Sequence, residues 1–119
     1  MATVIDIHTH AFGQSYLDLL DEHGAPDYGT RQMPDGKEYL LEKGVPAVAL
    51  RPEAFDYEAK IRQLDQYGID LAIVSLSSPG VFWGGEAISS QASTIVNDSQ
   101  AAAQTAYPDR IRWLASLPW

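Results

Sequence analysis

Residues 56–76, DYEAKIRQLDQYGIDLAIVSL, decide the fold because they predict a helix followed directly by a buried strand. Apolar side chains recur at helical spacing over 57–67, which predicts a helix there. Asp56 suits its N-cap and Gly68 suits its end. Residues 70–76 then form an almost continuous apolar run, which is typical of a parallel strand covered on both faces.

Elements of the same two kinds precede and follow this stretch. Residues 3–7 (TVIDI) predict a first strand, and residues 15–23 a short helix that Ser15 caps and Gly24 ends. Leu17 and Leu20 lie on one face of that helix.

Towards the end of the chain, residues 86–106 predict a second long helix and residues 111–116 a third strand. One apolar stripe is expected along the helix: Ile88, Ala92, Ile95, Ser99, Ala102 and Ala106. The order of strands and helices predicts an α/β fold in which parallel strands are joined by right-handed crossovers.

Residues 24–53 form an insert after strand one that is rich in Gly and Pro and has no strong periodicity. Loops of this length are usually functional or wrap over a site. Within the insert, Leu40, Leu41 and residues 45–50 predict a short hairpin.

Three parallel strands with two covering helices are a piece of an α/β sheet or barrel. A complete (β/α)8 barrel has about 250 residues, whereas this chain has 119. We therefore expect residues 1–119 to be the N-terminal segment of a single barrel domain, or a fragment that needs another chain to complete its core. The alternative is a complete three-stranded domain.

Composition excludes several classes of function. The formal charge of −8 argues against a nucleic-acid partner, which normally meets a basic face. No apolar run approaches the roughly 20 residues that span a bilayer, so we expect no membrane partner. Cysteine is absent, so a metal would be held by nitrogen and oxygen ligands, and we expect a cytoplasmic protein.

The first strand ends in His8-Thr9-His10. Alternate residues of a strand share a face, so we expect Asp6, His8 and His10 to point together into a barrel while the opposite, apolar face packs on helices. Two such imidazoles can reach one cation at about 2.1 Å. Asp6 could accept a hydrogen bond from one of these ligands and orient it. The alternative is that the histidines only close a strand.

Several stretches together resemble a known family: IDIHTHAF (5–12), LDQYGIDLAIVSLSSP (64–79), the Asn97-Asp98 pair and YPDRIRWLASLP (107–118). They resemble the amidohydrolase superfamily, and within it the branch that contains aminocarboxymuconate semialdehyde decarboxylase. The resemblance covers the whole chain and is weakest in residues 24–50.

The resemblance implies a metal-dependent, distorted (β/α)8 (TIM) barrel with one divalent metal, usually zinc, with manganese as the alternative. His8 and His10 match the family's first two ligands, and its other two have no counterpart here. Arg51 resembles an arginine that contacts a substrate carboxylate, although it could equally be a solvated loop charge. Trp83 could stack on a planar substrate or pack under its loop.

The function predicted from this resemblance is decarboxylation of a small unsaturated or aromatic carboxylic acid by the full-length protein. Hydrolysis of a lactone, ester or amide is the alternative within the family. An alternative of another class is a non-catalytic barrel fragment that self-associates through exposed strand edges. We expect the protein to be a homo-oligomer that binds a small carboxylic acid. We expect the 119-residue chain alone to be inactive.

Overall fold

The computed structural model describes residues 2–118, so Met1 and Trp119 of the predicted 1–119 segment lie outside the described residues. The elements follow in chain order: β1 (Ile5–His10), α1 (Gln14–His23), β2 (Gly29–Gln32), β3 (Glu38–Glu42), β4 (Val45–Ala49), a short 3₁₀ helix (Pro52–Ala54), α2 (Tyr57–Gln66), β5 (Leu71–Ser75), α3 (Gly85–Ala106) and β6 (Ile111–Trp113).

The main sheet is parallel, as the sequence predicts. Its strand order is β1-β5-β6, with β5 in the centre. The helices α2 and α3 provide the two crossovers between these strands. Ala72 and Val74 of β5 and Ile111 of β6 are fully buried, so the centre of the sheet is covered where the sequence is most apolar.

The insert forms a second, antiparallel sheet of order β2-β3-β4. The β3–β4 hairpin is the one that the sequence predicts. Strand β2 was missed because its sequence, GTRQ, has no alternation of apolar and polar residues. Asp21 of α1 fixes β2 by accepting hydrogen bonds from the Thr30 amide (2.6 Å) and the Thr30 hydroxyl (2.8 Å).

Two apolar clusters hold the elements together. One joins α1 to α3 and to the small sheet, with Leu20 and Leu40 fully buried in it. The other lies between the parallel sheet and its helices and includes Leu64, Val74 and Ile111. The first cluster therefore holds the insert against the end of the parallel sheet that carries the histidines.

The helix boundaries agree closely with those predicted from the sequence. Two other predictions about the helices are wrong, namely the N-cap of α1 and the buried face of α3. The Asp56 side chain accepts a hydrogen bond from the Glu58 amide at 3.0 Å, as a cap of α2 should. Helix α1, however, begins at Gln14 after Gly13, which has no side chain to cap it, so Ser15 lies inside the first turn.

The buried face of α3 also differs from the predicted stripe, because only Ala92 belongs to both sets. The buried residues are Ser89, Ala92, Ser93, Val96, Gln100 and Ala103. Helix α3 consists largely of Ala, Ser and Thr, whose similar sizes and polarities give little contrast between faces. Packing on α1 and β6 therefore selects the face.

Strand β6 is shorter than predicted, since residues 114–118 continue outside the ladder. Among residues 2–118, we find no helix that is both long and apolar enough to cross a bilayer.

Candidate metal centre

The two histidines lie at the carboxyl end of β1, where barrel enzymes carry their chemistry. The His8 and His10 ring centroids are 5.1 Å apart, and the rings meet edge to face. His10 is partly buried beside the last residue of β5, and His8 is exposed. The strand therefore presents two imidazoles side by side, as the sequence predicts.

The regular alternation that we expected along β1 is wrong, because the strand contains a bulge. Asp6 pairs with Ala72 and Thr9 pairs with Val74, so β1 has one more residue than β5 between these pairs. Paired residues of neighbouring strands share a face of the sheet. Asp6 and Thr9 thus lie on the helix-covered face of Ala72 and Val74, and His8 and His10 lie on the opposite face.

Asp6 contacts His8 through the backbone. Its Oδ1 accepts a hydrogen bond from the His8 amide at 3.0 Å, within the bulge. We expected this carboxylate to share the histidines' face and to orient an imidazole ring directly. Its observed contact instead fixes the backbone of the bulge that turns His8 away from the helices.

The predicted packing of Ile5 and Ile7 on helices is also wrong. Ile7 is 75% exposed and Ile5 is 47% exposed. Both residues flank Asp6, which lies on the helix-covered face, so they point to the other side of β1, an edge strand paired with β5 alone.

His10 is oriented by Ser75 at the end of β5. Its Nδ1 lies 3.2 Å from the Ser75 carbonyl oxygen and 3.1 Å from the Ser75 hydroxyl. The tautomer with a proton on Nδ1 donates to this carbonyl and leaves Nε2 as the nitrogen that can bind a cation, an arrangement typical of metal-ligating histidines. Sequence reasoning missed Ser75, although its position at the strand end could have indicated it.

The donor set fits one half of a metal site. Imidazole nitrogens suit Zn²⁺ and other first-row divalent ions, and a zinc site takes three or four protein ligands. Within residues 2–118, however, no group of three or more His, Cys, Asp or Glu side chains is placed to hold an ion. The third histidine, His23, lies in the last turn of α1, 3.6 Å from the Glu22 carboxylate.

Lys60 is a buried cation behind the histidines that sequence reasoning missed. It lies on α2, is 3% exposed, and its Nζ donates a hydrogen bond to the Thr9 hydroxyl at 2.9 Å. Burial lowers the pKa of Lys60, while the charges of Glu53 and Asp6 act in the opposite direction. Its position three residues after Tyr57 and four before Leu64, on the apolar face of α2, was the available signal.

Arg51 lines two grooves, neither of which contains a histidine. It is exposed just before the 3₁₀ helix, and the grooves have volumes of about 320 and 350 Å³. One groove follows α2 towards Arg62 and Tyr67, and the other lies beside Lys37 and Leu50. Neither groove is lined by a histidine, so the predicted contact of Arg51 with a substrate carboxylate stays a prediction.

Trp83 packs under its loop. Its Nε1 donates to the Gly80 carbonyl at 3.1 Å, its ring lies 6.1 Å from that of Tyr28, and it contacts the cluster around Leu20. The Tyr16 hydroxyl donates to the same Gly80 carbonyl at 2.6 Å. These contacts are those of the packing alternative, and stacking of Trp83 on a substrate stays a prediction.

The loops at the carboxyl ends of the strands are fixed by two further polar contacts. The Ser78 hydroxyl, after β5, donates to the Glu42 carboxylate of β3 at 2.7 Å. The Asn97 side chain of α3 donates a hydrogen bond to the Ser116 carbonyl and accepts one from the Ser116 amide, both at 2.9 Å. Asn97 therefore joins α3 to the segment that follows β6.

Comparison with known proteins agrees with this geometry, although no family model matches the chain. The 2-amino-3-carboxymuconate-6-semialdehyde decarboxylase of Caenorhabditis elegans is 26% identical over 117 residues, which are 96% of this chain and 29% of that protein. The predicted resemblance to this decarboxylase branch is confirmed. The chain thus spans less than a third of the length of the curated relative that it matches.

Solved structures show the same fold. The apo form of Metarhizium anisopliae IDCase matches with a TM-score of 0.77 at 20% identity, over 95% of this chain and 34% of that one. An amidohydrolase II structure matches with a TM-score of 0.68 at 29% identity, over 98% and 32%. The fold of this chain therefore matches part of the TIM barrels of amidohydrolase structures.

A third match is 5-carboxyvanillate decarboxylase from Novosphingobium aromaticivorans, with a TM-score of 0.69 at 21% identity over 98% of this chain and 34% of that one. That structure is complexed with manganese and 4-hydroxy-3-methoxy-5-nitrobenzoic acid.

Proposed function

We propose that this chain supplies two ligands, His8 and His10, to the divalent-metal site of a decarboxylase that acts on a small unsaturated or aromatic carboxylic acid. The observation that carries this proposal is the pair of imidazoles at the carboxyl end of β1, with His10 held through Nδ1 by Ser75. The relatives that the chain resembles support decarboxylation. No contact in the described residues favours hydrolysis.

The metal is either zinc or manganese. Two imidazoles are compatible with both ions, and manganese is present in the 5-carboxyvanillate decarboxylase structure. His8 and His10 would hold a divalent cation, which would supply Lewis-acid stabilisation of the negative charge that develops during decarboxylation. We propose that the remaining ligands come from outside residues 1–119, so that this chain alone is inactive.

The chain's own residues would contribute binding and orientation. His8 and His10 would provide the nitrogen ligands, and the Ser75 carbonyl would accept from Nδ1 of His10 in the tautomer that leaves Nε2 for the cation. Arg51 would bind the substrate carboxylate through its guanidinium fork.

Trp83 would contribute an aromatic surface at the rim of the site, since its loop follows β5 directly. The contacts of this loop with Tyr16 and Glu42 hold it in place without a substrate. We therefore expect Trp83 to affect KM more than kcat. A cytoplasmic location, consistent with the absence of cysteine, completes the proposal.

A second function, self-association of the fragment, has a separate observation in its favour. Ile7 on edge strand β1 and Leu117 after edge strand β6 are 75% and 74% exposed. Exposed apolar side chains at unpaired edges promote contact between copies. Sedimentation of the 119-residue chain tests this function, because a monomer at all concentrations would contradict it.

The experiment that tests the decarboxylase is carbon dioxide release by the full-length protein from small aromatic and unsaturated acids, with Zn²⁺ or Mn²⁺ added. We expect His8→Ala and His10→Ala to abolish release. His23→Ala is the matched control, because it removes a histidine outside the site, and it should leave release unchanged. Full activity of both His8→Ala and His10→Ala would refute the proposal.

A further inference from the structure

We propose that Lys60 is a positioning residue for the histidine pair: its ammonium group holds Thr9 against α2 and thereby keeps His8 and His10 directed to the opposite side of β1. This inference rests on the proposed metal site. It adds a residue on α2 that acts on the histidines through Thr9.

The position of Thr9 makes the contact effective. Thr9 lies between the two histidines and pairs with Val74, whose side chain is buried under the helices. Because neighbouring residues of a strand point to opposite faces, the face that Thr9 occupies determines the face of both imidazoles. A hydrogen bond that fixes Thr9 therefore fixes the direction of His8 and His10 together.

The bulge explains why the strand needs such a contact. Between Asp6 and Thr9, two residues of β1 lie opposite one residue of β5, so the ladder does not set their conformation as it does elsewhere. Two side chains hold this stretch on the helix-covered face. At the start of the stretch, the Asp6 carboxylate accepts a hydrogen bond from the His8 amide. At its end, the Lys60 ammonium donates a hydrogen bond to the Thr9 hydroxyl.

The charge of Lys60 is balanced locally. Asp6 of β1 and Glu53 of the 3₁₀ helix are the carboxylates whose charges act on it, and Gln63 donates to Glu53 at 3.2 Å. In the described residues, Thr9 is its hydrogen-bond partner. Removing an ammonium group from water is unfavourable. A buried apolar side chain at position 60 would therefore stabilise the fold more than Lys60 does.

The test measures zinc affinity of the full 119-residue chain by competition with a chromophoric chelator, together with the thermal midpoint of each variant. Lys60→Met and Thr9→Val each remove one partner of the hydrogen bond. Thr9→Ser keeps the hydroxyl, and Lys37→Met removes an exposed lysine charge from the turn before β3.

We expect Lys60→Met and Thr9→Val to weaken zinc binding about tenfold, the scale of outer-shell substitutions. Thr9→Ser and Lys37→Met should stay within about twofold of the original chain. Electrostatics alone predicts the opposite sign for Lys60→Met, because removing a nearby positive charge favours a cation. A purely structural role predicts a lower thermal midpoint with unchanged affinity of the folded chain. Either of these two results would overturn the inference.

The proposed metal site fails if the original chain, His8→Ala and His10→Ala all bind zinc equally. In that case amide hydrogen exchange, measured without metal, still tests whether Lys60 positions the histidines. Exchange at His8 and His10 should accelerate at least about tenfold in Lys60→Met and Thr9→Val but not in Lys37→Met, because loss of one buried hydrogen bond is worth about that factor. Unchanged exchange would refute the positioning role, and Thr9→Val decides the matter if Lys60→Met does not fold.

Discussion

The clamp between Asn97 and Ser116 makes a quantitative prediction about the end of the barrel fragment. The Asn97 side chain donates from Nδ2 to the Ser116 carbonyl and accepts from the Ser116 amide at Oδ1, both at 2.9 Å. Asn97→Ala removes both bonds and leaves both peptide groups partly buried. Each such bond contributes about 0.5–1.5 kcal/mol, so the free energy of unfolding should fall by about 1–3 kcal/mol.

Urea unfolding measures this loss, and amide hydrogen exchange at Ser116 locates it. Asp98→Ala is the matched control, since Asp98 is the next residue of α3 and is exposed, and it should change the free energy by less than about 0.5 kcal/mol. Asn97→Asp keeps an acceptor for the Ser116 amide and should lie between the two. A loss below about 0.5 kcal/mol for Asn97→Ala, or protection of the Ser116 amide that does not change, would refute the reasoning.

Two further predictions concern packing and pH. Leu20→Ala should lower the free energy of unfolding by about 2–5 kcal/mol, because Leu20 is fully buried in the cluster that joins α1 to α3. Urea unfolding measures this loss, and Leu117→Ala, at an exposed position, is the control. Equal losses in the two variants would contradict the packing described. Burial raises the pKa of Tyr57 to about 12, so the unfolded chain, in which tyrosine titrates near 10, loses this proton first. The stability present below pH 10 therefore falls by about 1–2 kcal/mol as pH rises towards 12. Tyr57→Phe should reduce this fall in urea unfolding at pH 9 and pH 11, whereas an identical fall would show that Tyr57 does not cause it. Part of the fall should remain in that variant, since burial also raises the pKa of Tyr16.

The order of elements could be predicted because each element carries a local signal. The apolar run of β5 follows an amphipathic helix with a capping Asp56, and both are found within one or two residues of the predicted bounds. The histidine pair could be placed at a strand end for the same reason. Parallel pairing then followed from the alternation of strands and helices, and the partial barrel is the result.

What the sequence could not provide depends on contacts distant in the chain. The bulge in β1 arises from pairing with β5, about 65 residues later, so strict alternation placed Asp6 on the wrong face. The Lys60–Thr9 bond joins residues 51 apart. Likewise β2 is a strand because Asp21 and β3 bind it, and its own residues give no such signal.

We propose above that His8 and His10 bind one divalent ion together. This proposal is tested most directly by following the imidazole ¹⁵N resonances of the three histidines by NMR while Zn²⁺ is added to the chain. We expect the resonances of His8 and His10 to respond in parallel at one stoichiometric equivalent of Zn²⁺, with Nε2 as the bound nitrogen of His10, and those of His23 to be unaffected. A response of His23 alone, or separate titrations of His8 and His10, would contradict it.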